Sequence, residues 1–279
     1  MEQPLTSLII NSPYEWPAKH WEQDRHGRVL QVVDGRRPAG YEIVDIRNNT
    51  RRTEELELVN RIRPRVDQWR NDGYPGVTSV TRRLLDYWQT PEARRLRFYF
   101  CQLEAIETII WWTEAPLEYR QGIFLPGDGG PWERICTKMA TGSGKTVVMA
   151  LIITWQTLNA LTYPKRKDFT SAFFVVTPGL TVKERLQVLY PGHEKNVYDE
   201  FQLCPSEAMR HKINQAYLLV ENWHTLMPLN DMSRSVVKKG PESDKAFSRR
   251  VLGKLAVCKD LLVIDRKSTR LNSSHTVIS

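Results

Sequence analysis

A chain of 279 residues has room for one large domain or two small ones, with an ample core in either case. A hydrophobic fraction of 41% beside 26% charged residues describes an ordinary globular protein, and the longest apolar run, Val147 to Ile153, is far too short to cross a bilayer, which excludes a membrane-spanning helix. The formal charge of +8 points to an anionic partner.

The N-terminus has no basic stretch followed by an apolar core, so no secretory signal is read there. Cys101, Cys136, Cys204 and Cys258 are scattered without a Cys-x-x-Cys pair. They read as reduced packing residues of a cytoplasmic protein, not as a zinc site or disulfide frame.

Residues 1 to about 50 read as short strands, Leu8-Ile9-Ile10, Val29 to Val33 and Tyr41 to Ile46, divided by turn residues such as Asn11-Ser12-Pro13 and Asp34-Gly35. Thr53 to Trp69 and Thr78 to Trp88 read as helices, with Thr53 and Thr78 as N-caps. Between Arg47 and Arg97 stand twelve arginines, no lysine and seven acids. Clusters such as Arg61-Ile62-Arg63-Pro64-Arg65 suit bidentate contacts to phosphate; the alternative is a solvated helix face balanced by Glu54, Glu55 and Glu57. A domain boundary is placed near Thr90-Pro91, giving a small mixed α+β region over 1–90.

From Leu96 the pattern becomes α/β. Gln102 lies beside Phe98, Tyr99 and Phe100, about 40 residues before a Gly-rich loop. A side-chain amide can both accept from and donate to an adenine edge, which selects ATP; the alternative is a surface Gln on an amphipathic helix. The loop itself is Met139-Ala140-Thr141-Gly142-Ser143-Gly144-Lys145-Thr146, set between an alternating segment and the apolar run. Strand, phosphate loop, helix is the order of a nucleotide triphosphate site. Gly142 and Gly144 let backbone N–H groups converge on phosphate oxygens, Lys145 bridges the β- and γ-phosphates, and the Thr146 hydroxyl ligates Mg²⁺. The full pattern asks for Gly where Met139 stands; Ala-x-Thr-Gly-x-Gly-Lys-Thr resembles the variant of superfamily 2 helicases and translocases.

Beyond the loop, Phe173 to Thr177, Tyr217 to Val220 and Leu261 to Ile264 are apolar runs of buried-strand length, separated by helical stretches around Thr181 to Leu189 and Ser248 to Val257. With the strand before the loop they make four candidates for the parallel sheet of a RecA-like P-loop core over 91–265. Thr177-Pro178-Gly179-Leu180-Thr181 resembles the strand-end loop with which superfamily 2 enzymes touch a nucleic-acid backbone, Thr177 and Thr181 offering hydroxyls and Gly179 an N–H; the alternative is a strand-ending turn. Trp223, in Asn222-Trp223-His224-Thr225-Leu226, reads as a core or helix-packing residue, with base stacking as the alternative. No nucleophile–His–acid arrangement is legible, and the histidines lack metal-ligand spacing.

Leu261-Leu262-Val263-Ile264-Asp265 is the start of a Walker B strand, whose Asp directs Mg²⁺ and whose next residue should be a Glu that activates water. Arg266 stands there and cannot be that base. Asp265 to His275 resembles the in-frame translation of a sequencing-adapter oligonucleotide, so 266–279 is expected to be foreign to the gene. Without Arg266, Lys267 and Arg270 the net charge would be about +5. The alternative is a genuine polar tail.

Gln102-x-Glu104-Ala105-Ile106, Ala140 to Thr146, Thr177-Pro178-Gly179-Leu180 and Leu261 to Asp265 together resemble the Res subunit of type III restriction enzymes, a superfamily 2 family. Asn11-Ser12-Pro13-Tyr14-Glu15, Gly35-Arg36-Arg37-Pro38-Ala39-Gly40-Tyr41 and Gly73-Tyr74-Pro75-Gly76-Val77-Thr78 also look like restriction-associated members, without a mechanism legible in the residues. The resemblance implies an ATP- and Mg²⁺-dependent DNA translocase with a modification methylase partner. Of its two RecA-like lobes and nuclease, only the first lobe is expected here. The alternatives are a non-restriction DNA or RNA helicase, or a nucleic-acid-binding module switched by ATP without translocation. A P-loop small-molecule kinase would leave Gln102 and Thr177-Pro178-Gly179 as coincidences.

Overall fold

The computed structural model describes residues 9–24, 28–45, 50–127, 134–226, 243–266 and 275–278. Internal contacts gather these into two compact units, one from Met1–Val77 with Phe98–Phe124 and one from Thr78–Arg97 with Leu125–Ser279. The chain therefore passes between units three times, at 77/78, 97/98 and 124/125.

The first unit begins with two antiparallel hairpins. Strand β1 (Lys19–Gln23) pairs with β2 (Val29–Asp34), Trp21 opposite Val32, and β3 (Gly40–Asp45) pairs with β4 (Thr50–Glu55), Ile43 opposite Arg52. Two expectations change here. Ile9 and Ile10 are not in a strand, and Leu8 lies outside the described residues. Thr53 pairs with Glu42 inside the second hairpin, so helix α1 (Glu57–Asn71) starts after Leu56 without a side-chain cap. Pro64 inside α1 has no N–H to donate to the Asn60 carbonyl.

Past α1 the chain reverses: Gly73 N–H bonds the Arg70 carbonyl and Tyr74 N–H the Trp69 carbonyl, each at 2.9 Å, with Gly73 and Tyr74 both at positive φ. Gly76 has φ +87°, and a Cβ there would lie 2.7 Å from the Glu114 carbonyl oxygen and 2.8 Å from Pro116 Cδ. Only glycine fits. Helix α2 (Ser79–Gln89) belongs to the second unit; α3 (Phe100–Glu114) and the short α4 (Leu117–Arg120) complete the first.

Trp69, Ile106, Ile110 and Trp111 form the buried centre between α1 and α3. Glu107, 1% exposed, accepts from Arg70 Nε at 2.7 Å, Arg70 Nη2 at 2.5 Å and the Tyr74 hydroxyl at 2.7 Å. Burial alone would lower the Arg70 pKa, but the Glu107 hydrogen bonds and charge reverse this and raise it. Arg63 lies 3.4 Å from Glu104, and Arg94 donates to the Trp88 and Tyr87 carbonyls. These arginines of the basic stretch face inward partners. Arg61, Arg83, Arg95 and Arg97 of the same stretch are exposed.

In the second unit Thr78 caps α2 as expected, its Oγ1 accepting from Thr81 N–H at 3.0 Å. The α/β core follows: β5 (Ile135–Lys138), α5 (Lys145–Thr162), β6 (Ala172–Thr177), α6 (Leu180–Arg185), α7 (Val197–Glu200), α8 (Glu207–Ile213), β7 (Tyr217–Asn222), α9 (Asp244–Leu252), β8 (Leu262–Arg266) and β9 (His275–Ile278). The sheet order is β5-β9-β8-β6-β7. Three of the four expected strands, β8, β6 and β7, are a parallel trio. The fourth, β5, joins them through β9, which is antiparallel to both β5 and β8. Two reversals cancel, so β5 still points the same way as the trio.

All six residues of β6 are buried. Ala172, Phe174 and Val176 pack with Val251 and Leu255, while Phe173 and Val175, fully buried, occupy the opposite face. Burial on both faces accounts for the unbroken apolar run of β6, while β7 and β8 beside it are only partly buried. Helix α5 is held to α2 by a buried polar network: Asn159 accepts from Thr78 Oγ1 at 2.5 Å and donates to Thr81 Oγ1 at 3.0 Å, and Trp155 Nε1 donates to Thr81 Oγ1 at 3.1 Å.

Candidate functional site

The Gly-rich loop leaves the end of β5 and turns into α5. Its backbone is set by two left-handed residues, Gly142 at φ +82° and Gly144 at φ +80°, ψ +40°. Nothing lies within 4 Å of a Cβ built on Gly142, so the backbone conformation, not crowding, demands glycine there. The Ala140 carbonyl is the loop's internal anchor, accepting from Ser143 Oγ at 2.7 Å, Ser143 N–H at 3.4 Å and Lys145 Nζ at 2.7 Å. Gly144 caps α5 without any side chain. The first turn of an 18-residue helix thus opens onto a loop with Thr141 and Gly142 at its exposed crest and Lys145, 7% exposed, folded beneath. Such a helix start attracts anions.

Strand register places Asp265 at the same edge. Val277 of β9 pairs with Cys136 of β5 on one side and Asp265 of β8 on the other, so the two outer strands lie about 10 Å apart at this level. On its far side Asp265 pairs with Val176, and Thr177 with Asn222. The C-terminal ends of β5, β8, β6 and β7 therefore lie along one edge of the sheet, the edge at which open α/β sheets bind ligands. Arg266, next to Asp265, has its pKa lowered by burial and then by Arg185.

A family model described as type III restriction enzyme, res subunit, matches residues 95–265, more than half of the chain. The chain belongs to that family. Membership makes the matched region a helicase-like, ATP-binding module. Searches of the curated proteins and of the solved structures gave no match.

The other residues singled out in this res-subunit lobe have distinct surroundings. Thr177 is fully buried, its hydroxyl bonded to the Gly179 carbonyl at 3.3 Å. Pro178 and Gly179 are half-buried and Thr181, in the first turn of α6, is exposed. Gly179 is extended, a conformation open to any residue. Gln102 belongs to the first unit and is 3% exposed; its Oε1 accepts from Tyr99 N–H at 3.0 Å, closing the start of α3. Gln102 is the third residue of α3, where a Gln can reach back to the N-cap N–H, although Tyr99 is not one of the usual capping residues.

After β7 the chain forms a 3₁₀ turn, Trp223–Leu226. Trp223 is 40% exposed, which corrects its reading as a packing residue. Glu221 was missed by the sequence reading: its Oε2 accepts from Lys183 Nζ of α6 at 2.7 Å and Thr225 Oγ1 at 3.3 Å. Only the three-dimensional meeting of α6 and β7 reveals it. Among the described residues no group of His, Cys, Asp and Glu could hold a metal, and no helix is long and apolar enough to cross a membrane.

Proposed function

We propose that the chain is the ATP-binding N-terminal part of an ATP-dependent DNA translocase subunit of a restriction endonuclease, working in the cytoplasm with a modification methylase subunit. One observation carries the reading: Gly142 and Gly144, both left-handed, shape a loop that leads from β5 into the first turn of the 18-residue α5, with Lys145 folded back onto Ala140. In this reading the N–H groups of Ala140 to Gly144 cradle the phosphates. Lys145 exchanges its Ala140 contact for the β- and γ-phosphate oxygens. Thr146 and Asp265 offer a hydroxyl and a carboxylate, the hard oxygen donors that suit Mg²⁺, which when bound offsets the phosphate charge. We assign Gln102, on leaving its bond to the Tyr99 N–H, to adenine, and Pro178, Gly179, Thr181 and a rearranged Thr177 to the DNA backbone.

The division of labour we assign is 1–90 as an accessory region, 91–265 as the first RecA-like lobe and 266–279 as adapter-encoded. The end of the family match at Asp265 supports the last assignment. Codons for 265–275 unrelated to adapter sequence would remove it.

The test is ATP hydrolysis with and without duplex DNA, in the chain extended by its native downstream gene. DNA-stimulated turnover that Lys145→Ala abolishes is the expected result; turnover indifferent to DNA sinks the translocase reading. Were Arg266 native, no water-activating Glu would follow Asp265, and that case favours a second reading: a module that binds ATP and switches without turnover. Nucleotide binding with no hydrolysis in the extended protein would establish that one instead.

A further inference from the structure

The turn after β7 holds an aromatic side chain in the open by an unusual number of fixings. Asn222 is in register with Thr177, so Trp223 begins one residue beyond the strand end that neighbours Pro178 and Gly179. His224 N–H bonds Asn222 Oδ1 at 3.2 Å, and the Thr225 hydroxyl and the Lys183 ammonium meet on Glu221 Oε2. From the other side Arg250 of α9 donates to the Thr225 carbonyl at 3.1 Å. Three elements, α6, β7 and α9, thus immobilise a four-residue turn whose largest side chain is 40% exposed. The Trp223 ring lies 4.2 Å from the His224 ring, tilted by 35°. Exposed apolar area on a surface is ordinary, but exposed apolar area held this firmly loses little freedom on binding. Leu180, 67% exposed, and Thr181 stand at the neighbouring strand end.

We propose that Trp223, backed by His224, is a stacking platform for an unpaired nucleobase at the C-terminal edge of the sheet. The inference rests on the nucleic-acid reading above and narrows it: a base inside an intact duplex has no free face for the indole, so the lobe recognises a single-stranded or splayed segment. Base–aromatic stacking is indifferent to base identity, which suits an enzyme that moves along any sequence. The Lys183–Glu221 pair acts through Trp223 as a positioning contact.

The experiment measures binding of a labelled single-stranded DNA, a blunt duplex of equal length and a single strand bearing consecutive abasic sites to the 279-residue chain by fluorescence anisotropy. Wild type is expected to prefer the single strand, and abasic substitution to weaken it about tenfold with no change to the protein. Trp223→Ala should weaken single-strand binding about tenfold and duplex binding less than about twofold, with Trp223→Phe recovering most of the loss. Equal affinity for intact and abasic strands overturns the platform, as does an equal loss on strand and duplex. Binding that persists without these differences leaves the nucleic-acid reading standing and removes this inference alone. No binding to any of the three DNAs removes both.

Discussion

Lys145 donates its ammonium to the Ala140 carbonyl at 2.7 Å, drawing the end of the Gly-rich loop back onto its beginning. The same carbonyl also holds Ser143 through its hydroxyl and N–H. Loop shape and loop charge are therefore separable. Lys145→Ala should cut affinity for a fluorescent ATP analogue by about ten- to a hundredfold, the range for losing a charged hydrogen bond, while thermal stability stays within about 1 kcal/mol. Parallel titration and melting curves check both halves.

Gly76 and Gly35 make a matched pair. Both have strongly positive φ, but only at Gly76 would a Cβ strike backbone, the Glu114 carbonyl at 2.7 Å; at Gly35 there is open space. Gly35→Ala should cost about 1 kcal/mol in urea unfolding, the conformational penalty alone, and Gly76→Ala about 2–4 kcal/mol. Equal losses would mean that the close approach relaxes freely.

Asn159, wholly buried, serves Thr78, Thr81 and the Trp155 carbonyl at once. Asn159→Ala strands buried hydroxyls and should destabilise the second unit by about 2–4 kcal/mol. Ser79→Ala, which removes only an exposed bond to the Tyr163 hydroxyl, should stay within about 0.5 kcal/mol. Urea denaturation of both variants distinguishes a network from scattered contacts.

Hydrogen bonds from Arg210, and then from Asn196, hold the Asp199 carboxyl below the usual carboxylate range against the opposing effect of burial. A group whose folded pKa is depressed adds stability above its unfolded pKa, about 4, and loses it as pH falls through the lower folded value. The Asp199→Asn variant should therefore melt below wild type at pH 6, with the gap closing below about pH 4. The carboxylate is 58% exposed, so the full gap is about 1–2 °C.

The parts of the fold governed by local rules were legible in the chain. Gly142 and Gly144 announced a left-handed loop, and the apolar residues before Asp265 announced a strand, although only Ile264 of β8 is buried outright. Thr53 misled because Thr50 to Glu55 is almost wholly polar, and its strand state comes from pairing with Gly40 to Asp45. The Gly73 to Thr78 motif was visible without its reason, since the carbonyl that forbids a side chain at Gly76 belongs to Glu114. Arg70 looked available for phosphate until Glu107, 37 residues on, was brought against it. Distance along the chain, more than residue type, separates what could be read from what could not.

Strand β9 meets β5 through four residue pairs and β8 through three, all of them backbone ladder positions. It works as a shim. A ladder of N–H and carbonyl groups senses the length and straightness of the segment that fills it and is blind to most of its letters. The spacing of about 10 Å between β5 and β8 is thus one strand's width on either side of a segment we assign to adapter-encoded residues, so any extended backbone that takes its place should hold the Gly-rich loop and Asp265 equally far apart.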